Sequence, residues 1–463
     1  WDLRGNLDDE VYRSVMSAAV GVDETEKHFP PYPFAHHRPI VEGGAVVNGV
    51  FQQDAPVSTG GAAASAPPAS RAALTRVAEV SHLLDPWLGE IGPGIGSNSW
   101  VVSGDKTATG QPLLANDPHL APMMPSLWYQ NGLHCTTPDA DCSYDLSGWS
   151  MSGLPGVFIG HNNAIAWGFT NLGPDVTDLV LEKVDGDSYL VDGVQVAMTT
   201  REEVIKVAGG DPVTITVRDT EDGPLVSDVA DIDTYTTVGA DAPVPAPGST
   251  PAPGATPERG DGYAVALRWT ALTPGRTFDA FDALNTATDW DGFRKAAAML
   301  EVPAQNLIYA DRQGNIGYQA PGVIPIREGY DGKWPIAGWD SRYRWKGTIP
   351  FTALPSVQNP PEGWVVTANQ AVIGPQYPFF LTDDWSYGAR SQRIVDLIEA
   401  ATADGQKIDA ARMRAIQMDA DNGLAAFMLP RTADLPVAPG TEAARTLLSG
   451  WDGQQTADSA GAA

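Results

Sequence analysis

Apolar positions in this chain mostly alternate with polar ones over short runs, the period of a half-buried strand, and only a few segments repeat at helical spacing. Asn98–Ser103 and Pro112–Asn116 read as two strands joined by a turn over Gly104–Gly110. GVFIG (156–160) and AIAWGFTN (164–171) flank His161-Asn162-Asn163, and an Asn-Asn pair favours a tight hairpin. Residues 179–239 alternate like further strands, YAVALRW follows at 263–269, and more strands are expected near 306–325. Helical spacing is confined to residues 1–22, 71–88, 287–300, Ser391 to Ala401, 409–427 and 441–449. The first of these follows a turn at Gly5-Asn6, with Asp8 and Asp9 favouring its positive end, and has little of its own to pack on. The second places Leu74, Val77, Val80, Leu83 and Leu84 on one face. Strand runs interleaved with separated helices predict an α+β layered fold rather than an alternating parallel sheet.

Composition adds boundaries. Residues 41–70, ending in STGGAAASAPPAS, have the make-up of a flexible, cuttable linker, and 240–261 form a Pro/Gly loop dispensable to the core. The 463 residues carry a formal charge of −28, which repels phosphate backbones and anionic lipid alike, so nucleic acid is a poor partner. No apolar run approaches the roughly 18 residues a membrane span needs. The chain opens at Trp1 and stops just after a helix-like segment, so it reads as a piece of a longer one, with a secretion signal expected upstream. Cys135 and Cys142 are spaced for a small loop clamp, not for a zinc knuckle. A local disulfide in an oxidising compartment is the expectation, and two buried free thiols are the alternative.

Several chemistries lose their best signals. No serine lies in G-x-S-x-G, and the phosphate-loop and H-E-x-x-H patterns are absent. The seven histidines form no metal-ligand set. What remains is Ser97, after the glycine-rich run IGPGIG and at the start of a strand. A serine hydroxyl needs a base, and a serine that begins a chain can use its own α-amine, which titrates near 7.7–8.0 in model compounds. If the two strands pair through the 104–111 turn, position 97 falls opposite about 118, placing Asp117-Pro118-His119 beside the serine.

At these residues the chain resembles the penicillin acylase family of N-terminal nucleophile hydrolases, whose catalytic chain begins with a serine in a motif like GSNSWVVSG. WDLRGNLDDE, SNSWVVSGDKTATGQPLLANDPHL, LPGVFIGHNNAIAWGFTNLGPDVTDL, QNLIYADRQGNIGYQAPGVIPIR, NPPEGWVVTANQ and YGARSQRI follow one another in family order. The resemblance implies a four-layer αββα sandwich with two stacked antiparallel sheets. It also implies a precursor that cuts itself into an α/β heterodimer. Residues 1–45 would be the tail of the smaller chain, 46–96 a removed spacer, and 97–463 a catalytic chain truncated at its C-terminus.

By the same resemblance, Ser97 supplies the attacking hydroxyl and the α-amine base, and His119 helps to hold both. Asn171 gives a backbone N–H and Asn369 a side-chain amide to the oxyanion, while Arg393 orients Asn369. A structural Ca²⁺ between the two chains would be held by Glu10, Asp175, Thr177, Asp178, the carbonyl of Pro325 and Asp384, with Asp383 as a substitute for the last. Hard oxygen ligands from separated segments suit that ion. The implied activity is secreted (periplasmic or extracellular) hydrolysis of an N-acyl amide, through an acyl-enzyme. The acyl group is aryl-acetyl, as in penicillin G, or fatty, as in acyl-homoserine lactones or lipopeptides. Aromatic and apolar side chains near 123–129 and 147–158 are the acyl-pocket candidates. The contrasting possibility is an unprocessed, calcium-stabilised binding protein.

Overall fold

A computed structural model describes residues 4–56, 96–120, 123–137, 139, 142–228 and 261–462. The expected helix over 71–88, most of the expected spacer and the 240–261 loop (apart from Asp261) lie outside these residues. The fold is α+β with several antiparallel sheets. One sheet of seven strands runs in the order Ser356–Gln358, Ile316–Gln319, Gln305–Asp311, Ile165–Asn171, Ile159–His161, Asp145–Met151, Trp128–His134. A three-stranded sheet sets Gly96–Val102 between Trp364–Thr367 and Leu113–His119.

Period-2 alternation decides what each face of the Gly96–Val102 strand does. Trp100 and Val102 pack with Ile394, Val395, Ile398, Met413 and Ile416 of the Ala389–Thr402 and Ala410–Gln417 helices. Val101, two positions from Ser99 and four from Ser97, packs instead with Ile308, Ala310 and Tyr318 of the seven-stranded sheet. The far face of that sheet buries Trp167, Leu307 and Tyr309 against Leu284, Phe293 and Ala297 of the Thr277–Thr286 and Trp290–Ala297 helices. Ser97 therefore shares the strand face that looks between the two sheets. Gly168 permits their close approach, since a Cβ there would stand 2.6 Å from Asn116 Oδ1 and 2.9 Å from Ser99 Oγ.

Several expectations shift. The first helix is Arg4–Val20, so Gly5-Asn6 lie within it, and Asp8 and Asp9 fall beyond its first turn. It packs Leu7 and Val11 on Leu179, Leu181, Val265 and Leu267, residues of the Thr177–Asp185 and Asp261–Trp269 strands. Residues 41–56 are not a loose linker. Ala45–Val47 and Val50–Gln52 form a hairpin, Phe51 enters the core near Tyr377, and Val41 N–H donates to Val372 O. The helix expected over 409–427 is two helices, Ala410–Gln417 and Gly423–Thr432, because Asp409 and Asn422 each cap a separate start. The Thr277–Thr286 helix went unpredicted. Cys135 and Cys142 are joined in a disulfide.

Candidate active site

Ser97 pairs with Pro118, and Gly96 with His119, in the antiparallel ladder. Pro118 lacks an N–H, which suits the outer strand of the three. Ser97 is 4% exposed. Its N–H donates to Asn369 Oδ1 at 2.8 Å, and its Oγ donates to Gly96 O at 2.6 Å.

The Asn369 amide is oriented by its neighbours. Its Oδ1 accepts from Ser97 N–H and from Arg390 Nη2 (2.9 Å), and its Nδ2 donates to Asn171 O (2.9 Å). An amide nitrogen carries two N–H bonds, so one remains for an incoming oxygen. Asn369 sits at φ 66°, a left-handed conformation that Asn tolerates better than most residues.

Arg393 does not orient Asn369. Its guanidinium faces Asp419 with four N···O distances of 2.9–3.2 Å. Arg390, three residues earlier on the Ala389–Thr402 helix, takes that place. It donates to Ser97 O (2.8 Å), Asn98 Oδ1 (2.6 Å) and Asn369 Oδ1. All three acceptors are neutral, and burial lowers the Arg390 pKa while Asp117 opposes the shift. Gly96 leaves room for this arginine, since a Cβ there would lie 2.8 Å from Nη2.

Asn171 ends its strand beside Asn369. Leu172 N–H donates to Ala304 O (3.2 Å), so ladder alternation turns the Asn171 N–H to the opposite edge, where Phe169 N–H meets Asn116 Oδ1 (2.7 Å). That edge faces the Ser97 hairpin. Asn116 also donates to Asn98 O and Phe169 O, tying the serine strand to the Asn171 strand. Asn306 donates to Asn171 O (3.1 Å) and accepts from Tyr318 O–H (2.6 Å), fixing that carbonyl from below. His119 turns Nε2 to Asp117 (3.0 Å) and Asn98 (3.5 Å) rather than to Ser97. Among the pocket candidates, Trp128 and Phe158 gather around Phe169 and Phe281, whereas Met124 is 97% exposed.

A second polar cluster lies under the first helix. Glu10, Asp175 and Asp178 are buried, and burial together with the two aspartates raises the Glu10 pKa well above its ordinary value. They do not frame an open oxygen cage. Arg327 Nε donates to Asp178 Oδ1 (3.0 Å), and its Nη2 donates to Asp175 Oδ1 (2.5 Å) and Thr177 O (3.1 Å). Asp384 pairs with Arg13, and Asp383 with Lys333. The Pro325 segment is bridged to Thr348. Among the described residues no three His, Cys, Asp or Glu side chains are placed to hold a metal ion. As arranged, the residues do not fit calcium.

The structure thus brings the buried Ser97 hydroxyl, the Asn369 amide and the end of the Asn171 strand together at one place. The penicillin amidase family model matches residues 1–463, and the chain belongs to that family. It is 30% identical to the acyl-homoserine lactone acylase QuiP of Pseudomonas aeruginosa, over 79% of this chain and 42% of that protein. It is 29% identical to the penicillin acylase 2 proenzyme of a Pseudomonas species, over 79% and 43%. The thermostable penicillin G acylase of Alcaligenes faecalis superposes with a TM-score of 0.58 at 26% identity, over 77% of this chain and 59% of the other. The chain thus spans less than half the length of these two curated relatives.

Proposed function

We propose that Ser97 becomes the first residue of a catalytic chain and hydrolyses an N-acyl amide through an acyl-enzyme. The observation that carries this reading is the shared amide of Asn369, whose oxygen holds the Ser97 nitrogen and whose nitrogen stands beside Asn171. In the precursor, Ser97 Oγ lies against the Gly96 carbonyl. Attack on that carbon moves the Gly96 acyl group from nitrogen to oxygen, and water then frees a Gly96 carboxylate and the Ser97 amine. The amine keeps Asn369 Oδ1 as its partner and takes the hydroxyl proton when substrate arrives. The remaining Asn369 N–H and the Asn171 N–H receive the oxyanion. The Ser97 amine passes that proton to the leaving amine, and water repeats the sequence to release the acid.

The layering of helices, two sheets and helices around Ser97 supports a four-layer αββα sandwich. The buried Phe51 hairpin favours a spacer that starts beyond Pro56 rather than at 46, because removing a core aromatic costs about 3–5 kcal/mol. The disulfide suits a secreted protein. The relatives' names carry two acyl donors, acyl-homoserine lactones and penicillins. Protein from the complete gene, incubated with both and quenched early, is expected to show an acyl adduct on the chain beginning with Ser97. Ser97→Ala should abolish the adduct, the cut and turnover. An Ala variant that is cut and active overturns the reading.

A further inference from the structure

We propose that Arg327 is a built-in replacement for a bound cation, so that the joint between the Arg4–Val20 helix and the body of the protein is independent of metal. Of the six residues that the family resemblance assigns to calcium, Asp175, Thr177 and Asp178 all give oxygens to one guanidinium, that of Arg327. Besides the bonds already given, Arg327 Nη1 donates to Asp175 O at 3.1 Å. Its planar fork matches carboxylates spaced around it, and its charge does not depend on pH. The other Asp178 oxygen is also committed. It accepts from Tyr330 O–H (2.9 Å), Trp345 Nε1 (2.6 Å) and Arg268 Nη1 (3.4 Å).

Ca²⁺ wants six to eight oxygens at about 2.3–2.6 Å. To enter here it would have to expel a buried arginine and strip these donors of their acceptors. The surroundings are shaped to the arginine instead. Gly332 sits at φ 78°, and a Cβ there would fall 2.3 Å from Asp175 Oδ2 and 3.0 Å from Arg327 Cζ. The Tyr330 and Trp345 rings each lie 5.8 Å from the guanidinium carbon, within cation–π range.

The helix docks on this paired cluster through its own side chains. Asn6 exchanges hydrogen bonds with Thr177, donating to its carbonyl (3.0 Å) and accepting from its hydroxyl (2.9 Å). Glu10 accepts from Leu179 N–H, and the buried Arg13 reaches Asp384 across the Phe29 ring. Asp384 is thereby spent on a second arginine.

Its test uses protein from the complete gene, with bound calcium measured by elemental analysis and thermal unfolding followed with EDTA, with CaCl₂ and with neither. Substoichiometric calcium and midpoints agreeing within about 1 °C are expected. One retained equivalent of calcium with a midpoint several degrees lower in EDTA overturns the proposal. Arg327→Ser adds a second arm. Asp175 loses its counter-ion and Asp178 keeps only Arg268, so the midpoint should fall by about 5 °C or more, and calcium should recover part of the loss. A variant as stable as the wild type also overturns the proposal. If the variant does not fold, the wild-type calcium and chelator measurements still decide.

Discussion

The Ser97 site and the cluster under the first helix each turn on one arginine, and the acceptors around the two differ. Arg390 donates to a backbone carbonyl and two amide oxygens, all neutral, whereas Arg327 donates to two buried carboxylates. A cation among neutral oxygens sets positions, and losing it displaces Asn369 without stranding an opposite charge. A cation between carboxylates sets stability, and losing it leaves charges uncompensated in the interior. The first arginine should therefore be felt in rate and the second in unfolding.

The largest effect that sharpens this contrast is on Asn369. Asn369→Gly removes the amide while keeping a residue at ease at positive φ, so kcat should fall about 10²–10³-fold with folding retained. Steady-state kinetics beside a thermal melt checks this. A large loss of stability with kcat preserved would place Asn369 in the scaffold instead.

Arg390→Lys should be milder. A single ammonium cannot serve three acceptors in a fixed fork, so kcat should drop roughly 10-fold with KM little changed, and stability should move by less than about 1 kcal/mol. Arg327→Ser should show the opposite division.

The last effect is spread over a pH range and concerns Glu182, buried beside Asp222 and Arg268. Burial first, and then the Asp222 charge, push its pKa up to about 8 from an ordinary 4.5. Between those values the folded protein holds a proton that the unfolded chain has lost. Glu182 therefore favours folding below pH 4.5, and its contribution fades as pH rises to about 8. Glu182→Gln should flatten that decline in denaturant titrations from pH 5 to pH 8.5, by about 2–4 kcal/mol across the window. An unchanged slope would assign the decline to other groups.

How much of this was legible depended on how local the cause was. The facing of Ser97 and Pro118 followed from the centre of one turn, because register in a short hairpin is set by its loop. The two antiparallel strands around Asn162 were equally local, since Asn162 Oδ1 accepts from Ala164 and Ile165 N–H. Arg390 was missed in favour of Arg393 because two arginines three apart lie on neighbouring faces of one helix. Only the seating of that helix on Trp100 and Val102 chooses between them. Arg327 could not be read as the partner of Asp175, since the strands that join them are set by tertiary pairing and not by spacing. Likewise residues 41–56 have linker composition, yet Phe51 and Val41 find a core that the local sequence does not announce.

Intact mass and N-terminal sequencing of protein made from the complete gene decide whether Ser97 becomes a chain terminus. Two chains are expected, the larger starting Ser-Asn-Ser-Trp at Ser97. An active protein whose backbone runs unbroken through Gly96–Ser97 would contradict this expectation, because the serine would then have no amine to take its proton.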